Sequence, residues 1–143
     1  AFRNNAPDHI TASTLVFSSD LQQVALLFHP KFDRWLQMGG HCEPNDDSLH
    51  AAAAREAHEE CGIADLLVDP EPVCLSRHRV KCWPGGHHFD VQFAAVAPSD
   101  AVLECSDEST DLRWFDLAEV PKISDESVVA LLAGAQQRFA QTN

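Results

Sequence analysis

The feature that most constrains this fold is a glutamate-rich segment with the composition of an α-helix. Residues 48–60 are rich in alanine, Asp47 precedes them as a candidate N-cap, and Gly62 follows where helices commonly end in a left-handed turn. On a helical wheel, residues spaced four apart form one apolar stripe: Leu49, Ala53, Ala57 and Cys61. The segment therefore predicts a helix that is buried along one face.

Three glutamates, Glu56, Glu59 and Glu60, lie within five positions of this helix. Glu56 and Glu60 are four residues apart, so their like charges meet at the border of the buried stripe, where repulsion is screened least. Most charge runs on helices are solvated faces, but a solvated face would interleave lysines, and this one has none. A bound cation explains the cluster better. Carboxylates without a neighbouring imidazole-and-thiolate set suit Mg²⁺ or Mn²⁺, used together with a phosphate substrate.

The loop before the helix adds a second half to this pattern. It begins at Gly39 and Gly40, and adjacent glycines allow a ligand to approach the backbone closely. Loop and helix together resemble the Nudix box of the Nudix hydrolases: Gly, five residues, Glu, seven residues, Arg-Glu, an apolar residue, any residue, Glu-Glu, any residue, Gly and an apolar residue. The second half matches at every defined position: Arg55, Glu56, Ala57, Glu59, Glu60, Gly62 and Ile63.

The first half of the box departs from the family pattern at Asp47. This residue lies eight positions before Arg55, where the family has Glu, but six residues instead of five then separate it from Gly40. The resemblance implies that Asp47 is a structural residue that holds the loop against the helix. Because Asp is one methylene shorter than Glu, the loop geometry is expected to differ from that of a perfect box.

The resemblance covers most of the chain, about residues 11–138, and implies a single Nudix domain over residues 1–143. The implied fold is α+β, with a mixed β-sheet sandwiched between helices. The implied activity is metal-dependent hydrolysis of a phosphoanhydride bond in a nucleoside diphosphate linked to another group, with Mg²⁺ or Mn²⁺ as the cofactor. No second motif selects among ADP-ribose, dinucleoside polyphosphates, nucleotide sugars and oxidised nucleoside triphosphates.

The resemblance also implies roles for individual residues. The expected metal ligands are Glu56 and Glu60, then Glu59 and the carbonyl of Gly40. Arg55 is expected to pair with a glutamate and orient it. The general base is expected to be a box glutamate such as Glu59 or an acid in the loop before the last strand: Glu104, Asp107 or, as the preferred candidate, Glu108. The alternative is that this later acidic run is a solvated loop.

Three polar residues, His88, Asp90 and Gln92, alternate along a predicted strand and therefore share one face of it. They are candidates for lining the substrate pocket. The alternative is a sheet face that is polar because it meets water. His87 points to the other face.

The remaining chain predicts strands and one more helix. The predicted strands are residues 10–18, 23–29, 73–82, 87–97 and 111–115, and the first two are expected to form a hairpin. Glycine and proline predict a loop at 39–47 and a turn at 83–86. Apolar residues at helical spacing predict a final helix over 124–139. Strands, helix, strands and helix in this order indicate an α+β fold or a mixed sheet between helices.

Charge and composition exclude several classes of partner. The net charge of −12 argues against a nucleic-acid polymer, which is bound through Lys and Arg, but not against a small phosphate bound with a metal ion. No apolar run approaches the ~20 residues of a membrane-spanning helix, and the first residues lack the apolar core of a signal peptide. Five cysteines without a CxxC pair argue against a disulfide framework and favour a cytoplasmic protein.

Two other classes were weighed against a hydrolase. His41 and Glu43 form the H-x-E of zinc deaminases, but the chain has no C-x-x-C to complete that site. Cys82, His87 and His88 form an incomplete zinc set that lacks a fourth ligand at standard spacing. The remaining alternative is a catalytically impaired Nudix-like domain that binds a nucleotide or a partner protein, because a displaced loop can abolish positioning.

Overall fold

Eight strands and three helices make up the described part of the chain. The computed structural model describes residues 9–30, 32–63, 66–79, 87–104 and 111–142. The strands are β1 (His9–Phe17), β2 (Gln23–His29), β3 (Arg34–Leu36), β4 (Met38–His41), β5 (Leu67–Val68), β6 (Cys74–Arg79), β7 (His87–Val96) and β8 (Leu112–Asp116). The helices are α1 (Leu49–Cys61), α2 (Val120–Ile123) and α3 (Glu126–Thr142), and a 3₁₀ turn at Leu117–Glu119 precedes α2.

The central strand β1 organises one mixed sheet. It pairs with β7 in parallel along its whole length, from His9 opposite His88 to Phe17 opposite Val96. On its other side, β4 pairs with its first half and β2 with its end, both antiparallel. The strands β3 and β8 extend the sheet beyond β2, and β5 and β6 extend it beyond β7. The predicted hairpin of β1 and β2 is confirmed.

Helices cover both faces of this sheet and give the fold two apolar cores. Alternate residues of β1 point to opposite faces, so Ala12 and Val16 pack on the side of α1, while Leu15 and Phe17 pack on the side of α3. The buried hydroxyl of Thr14 donates to a backbone carbonyl of α1 at 3.2 Å and joins the strand to that helix. The predicted α+β sandwich is confirmed.

The N-cap of helix α1 lies one residue later than predicted. Its N-cap is Ser48, whose Oγ accepts a hydrogen bond from the amide of Ala51 at 3.0 Å, so the prediction of Asp47 as the cap is wrong. The predicted stop at Gly62 is confirmed, with φ of 74° in the left-handed region. The buried residues of the helix are Ala52, Ala53, Ala57 and Cys61. The predicted stripe is therefore the buried face, with Leu49 partly exposed at its start.

The largest difference from the sequence prediction is β4, which was expected to be a loop. A β-carbon on Gly39 would lie 2.4 Å from Cβ of Ser13 and 2.7 Å from the carbonyl oxygen of Ala12. Glycine at this position is therefore needed for β4 to approach β1 closely. The Gly-Gly pair, which usually indicates a loop, lies in a β-strand here. The short strand β5 and helix α2 were also not predicted. The predicted turn at 83–86 lies outside the described residues.

The compartment of the protein stays a prediction. Cys61 and Cys74 are not in disulfides, while Cys82 and Cys105 lie outside the described residues. None of the helices within the described ranges has the length and apolar character needed to cross a membrane.

A carboxylate caps the start of α3. Asp125 accepts hydrogen bonds from the amides of Ser127 and Val128 at 3.1 and 3.2 Å, and its other oxygen lies 3.5 Å from the Arg34 guanidinium of β3. Burial raises the pKa of Asp125, but the hydrogen bonds and the guanidinium outweigh burial, and the net pKa lies below the ordinary value of 3.8. The ionised form of Asp125 therefore stabilises the folded protein.

We predict that Asp125→Ala lowers the free energy of unfolding at pH 7 by about 1 kcal/mol, measured by urea denaturation. A group whose pKa is lowered by folding stabilises the protein above its unfolded pKa, and this contribution disappears as the pH falls through the folded pKa. The difference between wild type and Asp125→Ala should therefore shrink below about pH 3.8. The exposed Asp100→Ala is the control and should change stability by less than ~0.5 kcal/mol. A difference that is the same at pH 7 and pH 2 would contradict the assignment.

Candidate active site

The guanidinium of Arg55 holds the glycine loop against α1. Its Nε donates to Oδ1 of Asp46 at 2.9 Å, and its Nη2 donates to Oδ2 of Asp46 at 3.0 Å. Asp46 also accepts the amide of Glu43 at 2.7 Å, and its side chain is only 5% exposed. The hydrogen bond from Arg55 lowers the pKa of Asp46, and the same bond raises the pKa of Arg55 above its ordinary value. The helix and the loop are therefore joined by a bidentate salt bridge between Arg55 and Asp46.

These contacts correct the prediction for Asp47. The residue that holds the loop is Asp46, which is separated from Gly40 by five residues, the spacing of the family pattern. The additional residue falls instead between Asp46 and Arg55, at the start of α1, where Ser48 serves as the cap. Asp47 has the family spacing from Arg55, whereas Asp46 has the family spacing from Gly40. The spacing from Gly40 is therefore the sequence signal that identifies the residue bound to Arg55.

The remaining nitrogen of the same guanidinium, Nη1, lies close to three glutamates. Nη1 of Arg55 lies 3.1 Å from Oε1 of Glu56, 3.3 Å from Oε1 of Glu59 and 3.4 Å from Oε1 of Glu43. The expected contact between Arg55 and a box glutamate is therefore present. One positive charge offsets the mutual repulsion of these three carboxylates, of which two lie on α1 and one lies in the loop.

Glu56 is pressed against the backbone of β4. A β-carbon on Gly40 would lie 2.6 Å from Oε1 and 2.7 Å from Cδ of Glu56, and the Glu56 side chain is 18% exposed. Burial raises the pKa of Glu56, and the charge and hydrogen bond of Arg55 only partly offset this rise. A cation placed beside this carboxylate would complete the compensation.

Glu60 also faces β4, whereas Glu59 points outwards. Oε1 of Glu60 accepts the amide of Gly39 at 2.9 Å, and the Glu59 side chain is 56% exposed. Within the described ranges, no three His, Cys, Asp or Glu side chains form a ready-made metal cage. Mg²⁺ needs only one or two carboxylates, completed by carbonyls, water and substrate phosphates. Glu56, Glu60 and the Gly40 backbone supply oxygen donors of this kind, so these residues fit a hard divalent cation.

A second polar group, here called the Asp90 cluster, lies on the opposite face of the sheet. It consists of Thr11, Ser13, Gln37, Asp90 and Gln92. Hydroxyls of Thr11 and Ser13 donate to Asp90 at 2.9 and 2.7 Å. The amides of Gln92 and Gln37 donate to it at 2.9 and 3.4 Å. The strand β7 positions the predicted pair Asp90 and Gln92, and the structure brings them together. The other three members were missed because they come from β1 and from the break before β4.

The strand β4 separates the two polar groups. Gly39 lies against Ser13 of the Asp90 cluster, and the next residue, Gly40, lies against Glu56. Successive residues of a strand point to opposite faces, so β4 contacts the Asp90 cluster through Gly39 on one face and Glu56 through Gly40 on the other. The glutamates and the Asp90 cluster therefore flank one strand near the start of β1.

Several predicted site residues lie elsewhere or outside the description. The side chain of His88 and the residues Asp107 and Glu108 lie outside the described part of the chain. Glu104 is exposed beside the C-terminal end of α1, where its amide donates to the carbonyl of Cys61 at 2.9 Å. The identity of the general base stays a prediction.

A comparison with family models now identifies the chain. The model of the NUDIX domain matches residues 7–132. The chain belongs to the NUDIX family. Membership places this NUDIX protein among enzymes that hydrolyse pyrophosphate linkages. A comparison with curated proteins finds no match for the NUDIX chain.

Several solved structures have the same fold. The Ap4A hydrolase of C. elegans, in a binary complex, has a TM-score of 0.78 and 20% identity, covering 93% of this chain and 98% of its own. The NUDIX domain of Shewanella oneidensis NrtR, solved with ADP ribose, has a TM-score of 0.72 and 22% identity, with coverage of 95% and 94%. The MutT NUDIX hydrolase of Burkholderia pseudomallei has a TM-score of 0.68 and 17% identity, with coverage of 89% and 97%. At these identities the likeness shows the fold.

The two glycines of β4 should respond differently to an added methyl group. We predict that Gly39→Ala lowers the free energy of unfolding by about 2–3 kcal/mol, because its β-carbon meets the backbone of β1. Gly40→Ala should cost about 1 kcal/mol or less, because its β-carbon meets a carboxylate that can rotate. Urea denaturation of both variants measures the contrast. Equal losses would show that β4 is not pressed against β1 as described.

The assignment of Asp46 over its neighbour can be tested with an isosteric pair of variants. Asp46→Asn should lower the free energy of unfolding by about 2 kcal/mol, because it removes a charge-assisted, two-pronged bond from a nearly buried group. Asp47→Asn should stay within ~0.5 kcal/mol of wild type. Thermal and urea unfolding provide the measurement. A larger loss for Asp47→Asn than for Asp46→Asn would restore the original prediction.

Proposed function

We propose that this NUDIX protein hydrolyses the phosphoanhydride bond of a nucleoside diphosphate linked to another group, with Mg²⁺ or Mn²⁺ as its cofactor. The observation that supports this most is the Glu56 carboxylate, which is largely buried against Gly40 and only partly neutralised by Arg55. Such a group has residual affinity for a cation. A pyrophosphate has the matching need, because its negative charge repels an attacking water until cations offset it.

The metal would be held by Glu56 and Glu60, with Glu59 and the Gly40 carbonyl as further donors. Bound there, a divalent ion supplies positive charge to the pyrophosphate and activates water for attack. The hydrogen bond from the Gly39 amide to Oε1 of Glu60 supports this role, because it restricts where the carboxylate can point. The chain therefore orients two carboxylates before any ligand arrives, which limits the ordering that binding requires.

Arg55 acts by positioning the glutamates. Two of its nitrogens are committed to Asp46, and the third, Nη1, lies within 3.4 Å of three glutamates. These contacts favour a role in orienting Glu56 over a direct contact with substrate phosphate. The general base in this proposal is Glu59, which is the most exposed of the three box glutamates, or the later acid Glu108.

The substrate class in this proposal is a small nucleotide derivative. An acidic protein with a charge of −12 repels extended polyanions, whereas a metal reverses the field locally. Structural neighbours include an Ap4A hydrolase and a NUDIX domain solved with ADP ribose. Dinucleoside polyphosphates and ADP-ribose are therefore the first compounds to test, followed by nucleotide sugars and oxidised nucleoside triphosphates.

A second candidate function is nucleotide or protein binding without turnover. The additional residue between Asp46 and Arg55 favours it, because it alters the junction of loop and helix on which positioning depends. The hydrogen bonds of Asp46 to Arg55 still hold the loop against the helix, which favours a hydrolase over this second function. A compound that binds in the presence of Mg²⁺ without being hydrolysed would identify this function.

The decisive experiment is a screen of these compounds with Mg²⁺ or Mn²⁺, which measures released phosphate, pyrophosphate or nucleoside monophosphate. We predict metal-dependent turnover that falls at least ~100-fold in Glu60→Gln. Glutamine keeps an oxygen acceptor for the Gly39 amide, so the fold should survive while the charge is lost. The matched control is Glu126→Gln on the exposed start of α3, which should stay within about twofold of wild type. Turnover by Glu60→Gln at the wild-type rate would sink the proposed metal site.

A further inference from the structure

The Asp90 cluster contains polar atoms that the proposed hydrolysis does not use. The Asp90 carboxylate accepts from Thr11, Ser13, Gln37 and Gln92. Four donors inside the protein therefore satisfy it. Asp90 needs no ligand of its own, although its position on the strand made it a candidate for contact with substrate.

The carboxylate determines how the two glutamines point. Its oxygens accept hydrogen bonds from Gln37 and Gln92, which both turn their Nε2 atoms towards it. Their Oε1 atoms are buried and have no hydrogen-bond partner in the described part of the protein. Gln92 is 1% exposed, so bulk solvent does not reach its carbonyl. Two acceptors are therefore held ready without a donor.

Both Oε1 atoms are buried, so a ligand reaches them only where Gln37 moves. Gln92 is the buried floor of the cluster, whereas Asp90 and Gln37 are partly exposed. Gln37 occupies the break between β3 and β4, and its bonds to Ser13 and Asp90 are both 3.4 Å long. It is the most weakly held of the donors to Asp90 and the one that a ligand displaces most easily.

The position of the cluster relates it to the glutamates. Gly39 and Gly40 turn to opposite sides of β4, one against Ser13 and the other against Glu56. A substrate that lies across β4 with its pyrophosphate at Glu56 therefore has its remaining group near the Asp90 cluster.

We propose that Gln37 and Gln92 are specificity residues whose carbonyls accept hydrogen bonds from N–H or O–H donors on the nucleoside part of the substrate. Asp90 is a positioning residue, because it binds both amide nitrogens and so leaves both carbonyls available as acceptors. This inference rests on the proposed function for the identity of the ligand as a nucleotide. The donors have two possible sources, the amino group of a base or the hydroxyls of ribose, and the acceptor chemistry is the same for both.

The test measures binding without turnover, using nucleoside α,β-methylene diphosphates with Mg²⁺, because the methylene bridge cannot be hydrolysed. Three pairs of probes each differ in their donors: adenosine against purine riboside, guanosine against inosine, and adenosine against 2′,3′-dideoxyadenosine. Wild type should bind the donor-bearing member of at least one pair about fivefold more tightly. Preference in a base pair assigns the donor to an amino group, and preference in the sugar pair assigns it to hydroxyls.

The variants Gln92→Leu and Gln37→Leu should each bring this ratio close to one. Gln37 is partly exposed, so its variant remains informative if the core substitution at Gln92 fails to fold. The matched control is Gln136→Leu on the exposed face of α3, which should keep the wild-type ratio. Ratios of one for all three pairs in wild type, or a ratio that survives in both cluster variants, would overturn the proposal.

Asp90→Asn tests the positioning role separately. An asparagine amide can donate to a glutamine carbonyl, so the two acceptors gain a partner within the protein. The affinity ratio should fall towards one, although Gln37 and Gln92 are intact. An unchanged ratio in a folded Asp90→Asn protein would overturn the role of Asp90. Binding ratios and hydrolysis are separate measurements, so the failure of this inference can be told from the failure of the proposed activity.

Discussion

The close approach of β4 to β1 is the constraint on which the rest of the site depends. Gly39 leaves no room for a side chain between these strands, and Gly40 leaves none between β4 and Glu56. Both contacts follow from one fact, that four residues of β4 pair antiparallel with Thr11–Thr14. If β4 moved outwards by the width of a methyl group, the hydrogen bond from the Gly39 amide to Glu60 would break. Glu56 would also lose its contact with Gly40. The placement of the glutamates is thus a matter of backbone distance as much as of charge.

Electrostatic compensation around Arg55 then makes the acidic helix compatible with folding. Three carboxylates close together repel one another, and partial burial makes the ionised form of Glu56 less favourable. One guanidinium reaches the glutamates with one nitrogen and the loop residue Asp46 with the other two. The compensation is incomplete, because the single guanidinium of Arg55 contacts four carboxylates. This excess of negative charge is the physical basis of the metal site that we propose.

Secondary structure with a local signal could be predicted from the sequence. Contacts between segments that are distant in the chain could not. The glutamate helix, its buried alanines and its stop at Gly62 followed from spacing and composition alone. The strand β4 did not, because a pair of glycines favours a loop unless a neighbouring strand is known to lie against it. Asp46 matches the family spacing from Gly40 and Asp47 matches it from Arg55, and the hydrogen bonds of Asp46 to Arg55 decide between them. Gln37 carried no signal, since its partner Asp90 is 53 residues away.

The parallel pairing of β1 with β7 has a consequence for the order in which the site forms. It joins nine positions at the start of the described chain to residues almost eighty positions later. The loop from β4 to α1 and its Arg55 contacts are short-range and can form early, whereas the Asp90 cluster must wait for β7 to be made and docked. During synthesis, the glutamates of α1 and their contacts with Arg55 can therefore form before the Asp90 cluster. Until β7 arrives, one edge of β1 exposes its backbone, which is the period of greatest risk for incorrect strand pairing.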